Sequence, residues 1–338
     1  MSFSIAIILP VRQADYLANT VLDGFLCLEK IQKELEIKVT DQYPSPFDLS
    51  THILSEDDFV VYAKEADLIL LVWGKHATNY ALAERINKWD KTIFIDGSEC
   101  GKDHRYNPTL LKRLATDGYQ GAGGIDLVGK RCALYFKRER PYTPGIIPLP
   151  FGIESRYVAY TLDAPLVKDI DFVCIFGQDQ YPIMRRYATE MLKDFCRRGG
   201  FTCETKQTDG FTFDDATKQA GRNEFSKLLA RAKVGISIGG GGFDTARFWE
   251  ILGNNCLLLT EKIALYEPGS KALDYQRIFQ FENLVEFKEQ LTIIGRLLKT
   301  NYNESNLALE YQRVLHDHTS VARVWTIIDH ARTAGILK

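Results

Sequence analysis

Arg247 and Glu250 lie three residues apart, just past the four glycines Gly239, Gly240, Gly241 and Gly242. On a helix that spacing puts a guanidinium and a carboxylate on one face. Beside backbone N–H groups left bare by glycine, such a pair offers a cation to phosphate and a carboxylate to ribose hydroxyls. An ordinary intrahelical ion pair, contributing about 0.2–0.5 kcal/mol, has the same spacing. The glycines on their own read equally as a tight turn.

The stretch Val234 to Thr260 has to position these residues, and it reads as strand, glycine loop, helix and second strand. Val234–Ile238 is an apolar, β-branched run too short for a helix, and it stops at the glycines. Phe243, Ala246, Phe248, Ile251 and Leu252 recur at roughly helical spacing, which predicts a helix from near Asp244. Gly253-Asn254-Asn255 supplies a C-terminal stop, and Cys256–Thr260 reads as a buried parallel strand. The glycine loop thus presents N–H groups at the positive end of a helix dipole, which favours an anion such as pyrophosphate.

The run Gly-Gly-Phe-Asp-Thr-Ala-Arg-Phe-Trp-Glu-Ile-Leu-Gly-Asn-Asn-Cys-Leu-Leu-Leu-Thr, residues 241–260, resembles the nucleotide-sugar half of GT-B glycosyltransferases. The resemblance is strongest to the CgeB-like (spore-maturation-protein-like) group, in which an Arg-Phe-Glu segment precedes a small residue, Gly-Cys or Gly-Val, and a buried strand. It implies an α/β fold of two Rossmann-like, doubly wound parallel-sheet domains facing a cleft. It also implies transfer of a hexosyl or related sugar from a nucleotide diphosphate sugar, such as a UDP-sugar, with no further cofactor. Glu250 would hold the ribose, Arg247 would face the diphosphate, and the glycine loop with Asp244 and Thr245 would lie along it. Many retaining members carry a second Glu eight residues before the ribose Glu. Gly242 stands there in this chain, so a two-glutamate mechanism does not carry over.

The length of 338 residues suits two α/β domains, each with its own core. Hydrophobic residues make up 45% and charged residues 25%, which excludes a disordered or fibrous chain. A formal net charge of −2 provides no global field for nucleic acid or anionic membrane. Seven cysteines, an odd number without CxxC spacing, read as reduced core residues of a cytoplasmic protein. The N-terminal apolar run has no basic flank and is too short for a signal sequence or a membrane span.

Taken in order, strands are predicted at Ile5–Leu9, Glu36–Thr40, Asp67–Trp73, Thr92–Asp96 and Arg131–Arg138. Helices are predicted at Tyr16–Leu35, Phe59–Lys64, Asn79–Asp90 and Pro108–Ala115, with a loop at Gly118–Gly124. This alternation argues for a parallel, doubly wound sheet. The proline-marked segment from Pro141 to Ile153 suits an interdomain crossing and resembles the hinge lead-in of the same transferase group. A boundary near residue 155 follows: residues 1–155 form an acceptor-side domain and 156–320 a nucleotide-sugar domain. Residues 321–338 form a C-terminal helix that packs back on the first domain. In the second domain Asp169–Phe176 is a strand ending at Gly177, and the helix after it carries Arg185 and Arg186. By the resemblance these three residues approach the donor phosphates. Adjacent residues on a helix point about 100° apart, so one arginine at most faces the ligand. The polar and aromatic loop Ile263–Arg277 is a candidate contact for the base.

Sugar transfer needs an acceptor hydroxyl guided or deprotonated. Asp15, Asp96 and His76 follow predicted strands, where open α/β sheets place ligands, and no spacing selects among them. No Asp-x-Asp metal site is present, and a helix N-terminus with cations can neutralise a leaving diphosphate, so metal independence is expected. His316 and His318, two apart, share no helix face and read as packing at a helix start. The acceptor, whether saccharide, small molecule, protein or nucleic acid, is not specified, and nucleic acid ranks last on charge. Two other readings share the layout: a nucleotide-sugar epimerase and a non-catalytic two-lobed binding protein.

Overall fold

A computed structural model describes residues 3–73, 77–98, 129–139, 143–176, 183–205, 224–240, 242–263, 265–267 and 269–338. The predicted elements at 108–115 and 118–124 lie outside them.

Seven strands of the first half form one sheet in the order β3-β2-β1-β4-β5-β6-β7. They are β1 Phe3–Ile8, β2 Leu35–Thr40, β3 Ile53–Leu54, β4 Leu68–Val72, β5 Thr92–Asp96, β6 Leu134–Lys137 and β7 Ile146–Pro148. Every pairing is parallel. The Leu-Ile-Leu-Leu-Val run of β4 is buried at all five positions, as a strand covered on both faces must be. Helices α1 Tyr16–Ile31, α2 Glu56–Glu65 and α3 Ala77–Ile86 connect the strands. Asp15 caps α1 by accepting the Ala18 N–H, and Ser55 caps α2 by accepting the Asp58 N–H.

Three details depart from the sequence reading. Helix α3 ends at Ile86, because Asn87 turns to φ 51° and Trp89 enters a short 3₁₀ turn. The short strand β3 carries too little apolar signal to announce itself. The proline-rich stretch is not wholly a crossing, since Ile146–Pro148 adds an edge strand to the first sheet. An edge position tolerates proline because one side of the strand needs no ladder donor.

The second sheet runs β12-β11-β10-β8-β9 and is also wholly parallel. Its strands are β8 Ile170–Val173, β9 Cys203–Glu204, β10 Ala232–Ser237, β11 Leu257–Glu261 and β12 Ile278–Phe281. Helix α4 Ile183–Gly199, a helical stretch at 224–231, α5 Ala246–Gly253 and α6 Leu284–Thr300 cover it, followed by α7 Glu304–His318 and α8 Ser320–Thr333. His316 and His318 end α7 and do not open the last helix, which Thr319 caps through the Ala322 N–H. His318 is buried against Tyr275, the Ala272 carbonyl and Arg323, and burial lowers its pKa to about 3.

Helix α8 returns to α1 of the first sheet. A Cβ at Gly24 would run into the Ser320 carbonyl, so the helices meet closely because Gly24 lacks one. Asp23 accepts from the hydroxyls of both Ser155 and Ser320, pinning the crossing segment and α8 to α1. Among the described residues no helix is long and apolar enough to cross a membrane. The described cysteines, Cys27, Cys132, Cys174, Cys196, Cys203 and Cys256, are free thiols.

Candidate functional site

In each sheet the strand order reverses once, between β1 and β4 in the first and between β8 and β10 in the second. Open α/β sheets bind ligands in the crevice at that reversal, outside the carboxyl ends of the strands. In the second sheet one wall of the crevice is the loop after β10, which contains the glycines. The loop after β8 is described only as far as Phe176, so Gly177 lies outside the described residues, as does Gly241.

Most N–H groups of the glycine loop already have partners. Gly239 donates to Glu261 Oε2 at 2.6 Å, and Gly240 donates to the Gly242 carbonyl at 2.8 Å. Phe243 and Asp244 both donate to one oxygen of Glu139, Oε1, at 2.6 and 3.0 Å. Asp244 is fully buried and ties the crossing segment to the helix: its carboxylate accepts Phe151 N–H at 2.7 Å and Trp249 Nε1–H at 2.8 Å. Burial pushes that carboxyl up to about 6, against the pull of Arg138. Asp244 therefore braces the site from behind.

Helix α5 starts at Ala246, two residues after the predicted position, with Thr245 as its N-cap, accepting the Phe248 N–H. Asp244 cannot serve as the cap because its carboxylate is turned inward. The N–H groups of Ala246 and Arg247 follow directly, in half-buried residues, and neither meets an acceptor among the described residues. Two adjacent donors without an acceptor at the positive end of a helix can take an anion.

Arg247 Nη1 pairs with Glu250 Oε2 at 2.7 Å, and its guanidinium lies 3.5 Å from the centre of the Phe225 ring. Glu250 is 8% exposed, and its other carboxylate oxygen accepts no hydrogen bond among the described residues. Arg156, at the crossing between the sheets, lies within electrostatic reach of Glu250. Arg185 donates from Nε and Nη2 to the Ile238 carbonyl at 3.3 and 3.0 Å. Its Nη2 would stand 3.1 Å from a Cβ at Gly240, so the guanidinium lies along the glycine loop. Arg186 points to solvent and pairs with Glu190.

The first sheet presents a different picture at its carboxyl ends. Asp96 is wholly buried and accepts from Tyr135 Oη at 2.8 Å, Lys137 Nζ at 3.3 Å and the Ser98 N–H at 2.9 Å. Lys137 is equally buried and reaches the Ser98 carbonyl and hydroxyl, each at 2.8 Å. Asp15 sits beside Gly97, with its Oδ1 on the Ala18 N–H at 2.8 Å, and burial raises its carboxyl to about 6. Tyr43 Oη donates to Asn19 Oδ1 at 2.6 Å next to it. The structure thus brings Asp15 and Asp96 together, while His76 lies outside the described residues. The chain leaves β1 and β4 through Arg12 and Trp73 at φ 53° and 65°, a left-handed backbone that non-glycine residues seldom adopt.

No protein-family model and no curated protein matches the sequence, but solved structures match the fold over nearly its full length. A glycosyltransferase from Rickettsia africae ESF-5 superposes with a TM-score of 0.60 at 9% identity, covering 98% of each chain. Anabaena HepE in complex with UDP and glucose gives 0.56 at 9% identity, covering 98% of this chain and 99% of that one. An alpha-glucosyltransferase in complex with UDP and a 13-mer DNA containing an HMU base gives 0.56 at 10% identity, with 97% and 99% covered. The fold is GT-B.

Within that GT-B frame, three site residues were missed in the sequence: Arg138, Glu139 and Glu261. Arg138 and Glu139 belong to the charged run that follows β6, and a charged run at the carboxyl end of a buried strand is itself a signal. Nothing in the sequence indicates that this run reaches the other sheet. Glu261 closes β11 and resembles any strand-end carboxylate until its contact with Gly239 is known.

Proposed function

We propose that the chain is a glycosyltransferase that takes a sugar from a nucleotide diphosphate sugar bound at the second sheet and passes it to an acceptor lodged against the first. The observation that carries this reading is the pair of N–H groups at Ala246 and Arg247 that meet no acceptor among the described residues, at the reversal point of the second sheet. Arg247 in the same helix and Arg185 along the glycine loop add cations, and Glu250 keeps an oxygen for the ribose. The solved structures that share the fold include proteins in complex with UDP, which makes UDP-sugars the first donors to try. The motif at 241–260 favours the CgeB-like group within that fold. The domain division follows the sheets: 1–155 on the acceptor side, 156–320 on the donor side, and 321–338 packed back on the first. A cytoplasmic setting follows from the cysteine usage.

In this reading the helix N-terminus and the two arginines stabilise the diphosphate as the glycosidic bond breaks, so the charge needs no metal ion. Asp15 is the acceptor-side base. Its carboxyl titrates near 6, closer to neutrality than an exposed aspartate, which suits proton transfer at physiological pH.

The test is release of UDP from UDP-glucose by the purified protein in the presence of EDTA. Slow donor hydrolysis is expected, with loss of that release in Arg247→Ala. No release, together with no binding of any nucleoside diphosphate, would overturn the reading in favour of a non-catalytic protein.

A further inference from the structure

Glu139 follows β6 of the first sheet, yet its carboxylate lies in the glycine turn of the second. Oε1 takes two backbone N–H groups there, Phe243 at 2.6 Å and Asp244 at 3.0 Å. The neighbouring Arg138 donates from Nη2 to the Asp244 carbonyl at 2.7 Å and from Nη1 to the Gly97 carbonyl at 3.4 Å. One dipeptide of the first sheet therefore grips both the donor and the acceptor side of residue 244. Both side chains are buried. Gly242 makes the approach possible, because a Cβ there would collide with Glu139 Oε1 and lie 2.8 Å from Arg138 Nη2.

We propose that Glu139 is a positioning residue of the donor site, acting from the opposite side of the cleft. This rests on the nucleotide-sugar reading above and deepens it. The turn 242–244 leads straight into the Thr245 cap and the open N–H groups of Ala246 and Arg247, so holding the turn fixes where those donors point. A carboxylate suits this role because its hydrogen bonds are charge-assisted, and one oxygen satisfies two buried donors that would be costly to leave unpaired. Since Glu139 already holds the N–H groups of 243 and 244, the diphosphate goes to the donors beyond the cap, at Ala246 and Arg247. The donor site is then complete only when the first sheet is docked against the second.

The test is calorimetric titration of the full chain with UDP and with uridine, well below the melting temperature of each variant. Glu139→Ala is expected to weaken UDP by about tenfold or more, with uridine affinity changed less than about threefold. Glu139→Gln restores UDP affinity to within about threefold, because its side-chain carbonyl can accept the same two N–H groups. Gly242→Ala, which pushes the carboxylate off, reproduces the alanine loss, and the double variant is no weaker than either single one. A residue that only stabilised the fold would lower the melting temperature and leave these affinities alone. Equal UDP affinity in all the variants overturns the proposal, as does tighter binding by Glu139→Ala, which would make the carboxylate a rival of phosphate. Failure of the unaltered protein to bind UDP would remove the nucleotide-sugar reading and this inference with it, whereas equal affinities beside intact binding remove this inference alone.

Discussion

At the carboxyl end of β5 the charged groups face one another in a fully buried network, and at that of β10 two backbone donors at a helix start meet no acceptor among the described residues. Asp96, Lys137, Ser98 and Tyr135 form a buried network whose two charges are completely shielded from solvent. At the second sheet the glycine turn is held from behind by Glu139, Glu261 and Asp244, while the N–H groups of Ala246 and Arg247 meet no acceptor among the described residues. Charge density alone does not mark a binding site. The distinction lies in which donors have already been satisfied, and it is the reason the proposed donor site is put at the second sheet.

Removing one partner from the buried network should produce the largest effect. Lys137→Met takes a buried cation away from the Asp96 carboxylate and should cost about 3–5 kcal/mol of stability, read as a lower urea midpoint. The folded fraction should bind UDP as before. A large loss of UDP affinity with little loss of stability would break the comparison by making the first network part of the donor site.

Asp15 belongs to the same region but carries a raised carboxyl. Its folded pKa is about 6 against an ordinary value of 3.8, so between about pH 4 and 6 the folded protein holds a proton that the unfolded chain has released. Stability from this group is therefore greatest at low pH and falls as pH rises through that window, by up to about 3 kcal/mol. Asp15→Asn keeps the helix cap and removes the slope. Urea unfolding at pH 4 and pH 7 should show the variant gaining on the unaltered protein as pH rises. A constant gap would mean that Asp15 is not desolvated.

On the second sheet, Arg247→Ala should weaken UDP by about ten- to a hundredfold, the value of a charge-assisted contact, and weaken uridine much less. Equal losses for both ligands would reduce Arg247 to the partner of Glu250 in an ordinary ion pair. Arg186→Ala sharpens the contrast from below. Its exposed pair with Glu190 should be worth no more than about 0.5 kcal/mol, with UDP affinity unchanged.

The elements around the glycine loop were legible because their signals are local. A β-branched run, four glycines, a helical stripe and Gly253-Asn254-Asn255 announce a strand, a turn, a helix and its end within thirty residues, and the helix start differs from expectation by two positions. What the loop does with its N–H groups was not legible. Phe243 and Glu139 are 104 residues apart in sequence, and no periodicity links them. The same limit hid the role of Asp244, which a local reading offers to the ligand and tertiary packing turns toward Phe151 and Trp249. The edge strand β7 escaped because its prolines suggest a loop, and the buried state of Asp96 escaped because its partners arrive from β6, some forty residues later.

The most direct test is a thermal-shift titration with UDP, GDP, ADP and CMP, run with magnesium chelated, on the unaltered protein and on Arg247→Ala. A ligand at about 100-fold saturation should add roughly 2.7 kcal/mol of stability, seen as a rise in melting temperature. A clear shift with one nucleoside diphosphate, lost in the variant, is the predicted result. No shift with any nucleotide, or the same shift in both proteins, would contradict the placing of the diphosphate at the start of the helix that carries Arg247.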